Sequence, residues 1–196
     1  MSGQIRRGWG RKFKERSEMK KVVVKVKLSG LEAFEAKLDG LGMEFGPIYW
    51  QHDRVFVPRN YRRGVGYPRL VMRTEMKAVD RPAKYSLILK RHIEDANVEV
   101  VHETVVKDYT EAANIILQLG FRQEAEVSRR RQEIKMEEGT MMYLDRVEKM
   151  AGYFVKIEAQ LESAESAKAL RAEIVKTFES LDQKNQVMQT YSELFA

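Results

Sequence analysis

Residues 22–28 alternate in character: Val22, Val24, Val26 and Leu28 fall on one side of a two-residue repeat, and Val23, Lys25 and Lys27 on the other. That period predicts a strand with one buried side. The next stretch, "SGLEAFEAKLDGLG", switches to a helical period. Leu31, Phe34, Leu38 and Leu41 form its apolar stripe, Ser29 is the N-cap candidate and Gly42 the closing residue. "EFGPIYWQHDRVFVP" predicts two strands around a turn, and "RNYRRGVGYP" a Gly/Arg-rich loop. Three strands follow in "RLVMRTEM", "KYSLILKRHI" and "VEVVHETVVKD", then a helix in "YTEAANIILQLG" closed by Gly120. "FRQEAEVSRRRQEIKM", "TMMYLDRVEKM" and "YFVKIEAQL" predict three more strands, and the chain from residue 163 reads as two helices, "SAESAKALRAEIVKTFESL" and "NQVMQTYSELFA". No long Pro/Gly/Ser linker divides this order, which predicts one domain over residues 22–196.

Most of these strands have one apolar and one polar side, as an antiparallel sheet with a solvated face would. Lysines on such a face discourage edge-to-edge pairing. Here, however, the cations recur: Lys27, Arg73, Lys90, Arg129 and Arg131 come from well-separated strands and sit among alternating apolar residues. If the strands close, these side chains converge inside. The fold class expected is α+β, an antiparallel β-barrel with flanking helices. A lumen lined by Arg and Lys is a polyanion site, because guanidinium forks match phosphate oxygens.

Charge narrows this further. The formal net charge is +6, but residues 1–21 hold eight basic and two acidic residues, and the rest of the chain balances at 27 of each. The excess belongs to a basic N-terminal extension, residues 1–21, in which Trp9 and Phe13 are available for stacking on RNA; an acidic partner would also suit it. There are no cysteines, which excludes disulfides, thiolate metal sites and cysteine catalysis. No apolar run approaches the roughly 20 residues that span a bilayer, and the N-terminus lacks an apolar signal segment. These absences lead to the expectation of a cytoplasmic protein with no membrane partner. His52, His92 and His102 show no metal-like spacing.

The order of elements and several short motifs resemble the CYTH superfamily, the triphosphate-tunnel proteins that include class IV adenylate cyclases, thiamine triphosphatases and inorganic triphosphatases. "QHDRVF" at 51–56 resembles the family's Q-x-D-x-Y-F, with Val55 in place of Tyr. "LVMR" at 70–73 resembles L-R-I-R and keeps Arg73, and Lys90 falls on the tunnel-lysine strand. "VSRRR" at 127–131 resembles V-x-K-x-R and supplies Arg129 and Arg131. "LDRVEKMAGYFVKIE" at 144–158 resembles L-D-x-V-x-x-x-G-x-F-x-E-I-E, and "YSEL" at 191–194 the last helix.

The family's E-x-E-x-K strand aligns with Val23, Lys25 and Lys27, so only the lysine survives. The family's paired glutamates on a later strand align with Val101 and Glu103, and Lys156 replaces the first glutamate of the motif that ends in Glu158. In the family such carboxylates hold divalent cations beside a triphosphate. Magnesium needs oxygen ligands, which valine cannot supply, and lysine repels the metal. The resemblance leaves Glu103, Asp145 and Glu158 as the metal-ligand candidates. The four replacements add about six positive charges, against the four that two divalent cations would bring. Lysine can neutralise a phosphate oxygen but cannot act as a Lewis acid or generate a metal hydroxide.

The function expected is metal-independent binding of a nucleotide, triphosphate or other polyanion by Lys27, Arg73, Lys90, Arg129 and Arg131, with Lys25 and Lys156 in place of cations and no cofactor required. Two alternatives stand beside it. One is a divergent adenylate cyclase or triphosphatase using one Mg or Mn ion; the other is an RNA- or partner-binding module acting through the basic arm. A further reading is a silent barrel in which Lys25 and Lys156 pair with Glu103, Asp145 or Glu158.

Overall fold

A computed structural model describes residues 19–62, 67–78, 80–93, 98–161, 167–187 and 189–194. Residues 1–18 of the basic extension, and both glycines of the Gly/Arg-rich loop, lie outside the described residues. Eight strands form one closed barrel: β1 (Met19–Lys27), β2 (Tyr49–Pro58), β3 (Arg69–Met76), β4 (Lys84–Ile93), β5 (Val98–Val105), β6 (Phe121–Glu137), β7 (Thr140–Val147) and β8 (Phe154–Gln160). Four helices flank it: α1 (Leu31–Gly40), α2 (Tyr109–Gln118), α3 (Ala167–Ser180) and α4 (Tyr191–Leu194). The order around the wall is β1-β5-β4-β3-β2-β6-β7-β8, and every neighbouring pair is antiparallel.

Alternation decides which side of the wall each residue faces. Val22, Val24 and Val26 point outward and are buried under α1 and α3 with Phe34, Leu38, Ile174 and Phe178. Fully burying each such side chain contributes roughly 1.5–3 kcal/mol. A second outward cluster, Phe56 and Met72 with Ala113 and Ile116, fixes α2 on β2 and β3. Asp108 caps α2 by accepting from the Glu111 N–H at 2.9 Å. Gly42 and Gly120 close α1 and α2 at φ +69° and +87°, the left-handed region that favours glycine.

Several local expectations are corrected. β1 begins at Met19, so Met19 to Lys21 belong to the barrel and not to the extension: this stretch pairs with β5, and Lys21 reaches Glu158 at 3.2 Å. Residues 44–48, expected as the first of two strands, form none. Gly46 instead docks irregularly on β6, donating its N–H to the Glu133 carbonyl at 3.0 Å and accepting from Gln132 at 3.1 Å. The N-cap of α1 is Gly30 and makes no side-chain cap bond, and Leu41 is exposed. The last predicted helix shrinks to Tyr191–Leu194 because the residues before it bond to β1: Val187 donates to the Lys25 carbonyl at 2.7 Å, and Gln186 bridges Val26. Among the described residues no helix is long and apolar enough to cross a membrane.

Candidate functional site

Directly opposite residues in an antiparallel ladder point to the same side. Val23 is inward, so its cross-strand partner Glu158 is inward, and the rest of the wall follows by register. Lys25 faces Lys156, Arg73 faces Asp53, Arg69 faces Lys90, and Arg131 faces Asp145. All ten residues expected from the sequence, namely Lys25, Lys27, Arg73, Lys90, Glu103, Arg129, Arg131, Asp145, Lys156 and Glu158, occupy inward positions. The alternation that keeps Val24 and Val26 under the helices is what points Lys25 into the lumen.

A cavity of about 870 Å³, counting its solvent-open mouth, occupies the barrel. Lys25, Arg69, Arg73, Lys90, Arg129, Arg131 and Lys156 line it, with only Asp53, Glu99 and Glu158 as lining carboxylates. Asp145, bonded to Arg131, and Glu193, at the plug described below, offset two of that surplus of four positive charges, and Lys21 on Glu158 restores one. Lys27 ends β1, exposed and against Gly152, with its N–H donated to the Asn185 carbonyl at 3.1 Å, and it does not line the cavity. Glu103 lies outside it as well, with its side chain 42 % exposed and 3.4 Å from Lys84. The buried carboxylate on β5 is Glu99, two positions before Val101 on the same face.

The cations are held in fixed pairs. Arg73 forks onto Asp53 at 2.7 and 2.9 Å, and Arg129 reaches the same carboxylate at 2.6 Å while also donating to Gln51. One carboxylate therefore anchors two guanidiniums. Arg131 forks onto Asp145 at 2.6 and 2.7 Å, and the Tyr191 hydroxyl donates to Asp145 at 2.8 Å. Lys90 and His92 share Glu99 at 3.3 and 3.2 Å. Glu158 takes both Lys156 and Lys21. Tyr143 lies under this group, with Arg131 at 4.4 Å and Lys156 at 4.7 Å from its ring.

Burial opposes each of these charges, and the neighbours decide the outcome. For Asp53 and Glu158 the adjacent cations overcome burial and hold the carboxyls well below their ordinary values. Glu99 is pulled down to about 2 in the same way, chiefly by Lys90 and His92. Burial wins at the lysines. Lys25 falls to about 8 despite Asp145, Glu193 and Glu99, and Lys156 to about 7 despite Glu158, with Arg131 and Lys90 adding to the fall.

One end of the barrel is plugged by the segment that leads into α4. Lys25 donates to the Gln189 carbonyl and lies 4.1 Å from the Tyr191 ring centre. Arg69 donates to Thr190 at 3.0 Å and sits 3.5 Å from Glu193. Tyr191 packs edge-on against Phe154 in a cluster with Val127 and Val147.

The donor set does not fit a divalent cation. Asp145 spends both oxygens on Arg131 and Tyr191, Glu158 is taken by two lysines, and Glu103 is remote from both cavity and pair. No group of three His, Asp or Glu suited to a metal forms among the described residues. The three metal-ligand candidates are thus not brought together. The alternation places each on the lumen side, but it does not give their heights along the barrel or their cationic neighbours. Arg69, Asp53 and Glu99 are the residues missed, although Arg69 shares the two-residue period of Arg73 and Glu99 that of Glu103.

A closed antiparallel barrel with flanking helices and a cation-lined lumen defines the tunnel-barrel class related to adenylate cyclases and triphosphatases. The CYTH domain model matches residues 19–191, and the chain belongs to that family. Among solved structures, a protein from Pyrococcus horikoshii superposes with a TM-score of 0.77 at 18 % identity, covering 89 % of this chain and 97 % of that one. A conserved hypothetical protein from Pyrococcus furiosus is 29 % identical with a TM-score of 0.68, covering 89 % and 99 %. An adenylyl cyclase candidate from Hippeastrum with a dominant triphosphatase activity superposes with a TM-score of 0.58 at 16 % identity, covering 90 % and 94 %. No curated protein matches the sequence.

Proposed function

We propose that the barrel binds a triphosphate-like polyanion without a divalent metal and has lost the chemistry of its enzymatic relatives. The observation that carries this is the cavity lining: seven cations against three carboxylates, with Val23, Lys25 and Lys156 at three positions where the family pattern has glutamate. Arg73 and Arg129 are steered by one shared carboxylate, which leaves N–H groups on both forks to bond phosphate oxygens. Lys25 and Lys156 supply charge where the family pattern would place metal. Neither can polarise a phosphoryl group as a metal does, which is why binding is retained in this reading and turnover is not.

Calorimetric titration with tripolyphosphate, once in EDTA and once with excess magnesium, tests this. The expected result is binding of equal strength in both, lost in Arg129→Ala. Binding that requires magnesium overturns the reading and favours a one-metal cyclase or triphosphatase. No binding in either means that the internal pairs have closed the lumen on itself.

A further inference from the structure

The outside of the barrel carries a second cationic feature that the lumen does not explain. α1 and α3 cover the wall around β1, and α2 covers part of β2 and β3. Beside α1, the outer face of β2, β6 and β7 is left as a groove of about 1290 Å³, open solvent included. Trp50 of β2 stands opposite Arg130 of β6, which stands opposite Arg146 of β7. The three form one row across adjacent strands, each about 4.8 Å from the next. Tyr153 extends the row at the turn into β8.

The two arginines differ from the lumen guanidiniums, which are held on carboxylates. Arg130 stacks on Trp50 at 4.8 Å, and Arg146 on Tyr153 at 5.2 Å while donating to the Gly152 carbonyl at 2.9 Å. Among the described residues no carboxylate lies within ion-pair distance of either, whereas Arg54, further along β2, is 3.6 Å from Glu126. Like charges directly opposite each other in a ladder are destabilising. Glu35 and Glu148 also line the groove, as does Lys149, but neither carboxylate forms an ion pair with Arg130 or Arg146, and an anion between the two guanidiniums removes their repulsion. Trp50 is 38 % exposed and Ile48 beside it 58 %. An exposed indole beside a guanidinium pair suits a ligand that alternates phosphates with planar bases. An acidic peptide would satisfy the arginines and leave the indole unused, and a duplex keeps its bases stacked on each other.

We propose that this groove binds single-stranded nucleic acid, with Arg130 and Arg146 on neighbouring phosphates and the exposed Trp50 stacking on a base. The surface is separate from the lumen, and the proposal does not rest on the tunnel reading.

The test uses the full chain and a fluorescein-labelled oligouridylate, read by anisotropy over a range of salt. A Trp9→Phe background makes Trp50 the only tryptophan. The expected results are tighter binding of the single strand than of its duplex with oligoadenylate, and quenching of Trp50 emission. The double variant Arg130→Gln/Arg146→Gln, with an unchanged melting temperature, should lose about tenfold in affinity. Its slope of log K against log salt should shrink by about 1.4, at roughly 0.7 per single-strand phosphate. Trp50→Ala should also cost about tenfold. Failure to bind, or binding that leaves Trp50 emission unchanged, overturns the proposal. So does affinity that survives the double variant, which assigns the contact to the basic N-terminal residues, or displacement of the RNA by polyglutamate at equal concentration.

Discussion

Cyclic trimetaphosphate stays fully ionised across the neutral range, so any pH dependence of its binding reports on the protein. With Lys156 near 7 and Lys25 near 8, about a quarter of the first and three quarters of the second are protonated at pH 7.5. An anion in the lumen stabilises the charged form of both, and filling them takes up about one proton per anion bound. The sign follows from the direction of the shifts: both lysines sit below their ordinary value, so charge is present at low pH and lost as pH rises. Between pH 6.5 and 8.5 the affinity should fall about a hundredfold, close to 2.7 kcal/mol. Burial holds His92, which also lines the cavity, below its ordinary value. Calorimetry in two buffers of different ionisation heat counts the protons directly. The Lys156→Met variant should bind more weakly and retain only the Lys25 component. A flat profile, proton release, or affinity that rises with pH would show that the anion does not meet these two lysines.

The other expectations concern the same charges. Asp145→Asn leaves Arg131 buried without its partner, and urea unfolding should show a loss of roughly 3–5 kcal/mol. An unchanged midpoint would mean that the pair is not formed in solution. Glu193→Gln removes a carboxylate 3.5 Å from Arg69, and tripolyphosphate should bind severalfold more tightly; weaker or equal binding would put Glu193 outside the anion's field. Stability itself should rise by roughly 2–4 kcal/mol from pH 7 to 9, because the unfolded chain keeps protons on Lys25 and Lys156 that the folded one has shed. On the acid side the contribution of Glu99 is fully present above its ordinary value of 4.5 and is lost as pH falls towards 2. Urea midpoints measured across both ranges test the two slopes, and a midpoint constant from pH 7 to 9 would refute the lysine assignments.

The face of each strand was legible from local alternation, which depends on nothing beyond neighbours in sequence. Lys25 among Val24 and Val26, or Arg129 and Arg131 about Arg130, declare their side of the wall without knowledge of the fold. The partner across the wall is a different matter. Asp53 serves Arg73 from the same hairpin but Arg129 from 76 residues away, and only the register brings the three together. The resemblance points to Glu103, yet it is Glu99, on the same two-residue period, that is buried against Lys90 and His92. The plug was hidden for a related reason. "NQVMQTYSELFA" has a helical period, but its backbone groups at Val187 and Gln189 find better partners on β1 than in a helix. Tertiary bonds outweighed local propensity there.

Closure of the wall also sets the order in which the molecule can assemble. Its first strand lies between β5 and β8, with Val24 opposite Ile157. During synthesis, β1 leaves the ribosome first and must wait for nearly the whole chain before its second neighbour exists. Pairings so distant in sequence pay a large loop-closure cost before any contact rewards them, which places such folds among the slow ones, in milliseconds to seconds. Until β8 arrives, the valines of β1 and an unpaired strand edge stay exposed, the condition under which nascent chains aggregate. The cations two residues apart on that strand, Lys21, Lys25 and Lys27 with Val23 between, keep such an edge in solution during the wait. Of these lysines Lys25 also lines the finished lumen, so one side chain serves first as a gatekeeper of an unfinished barrel and then as part of its site.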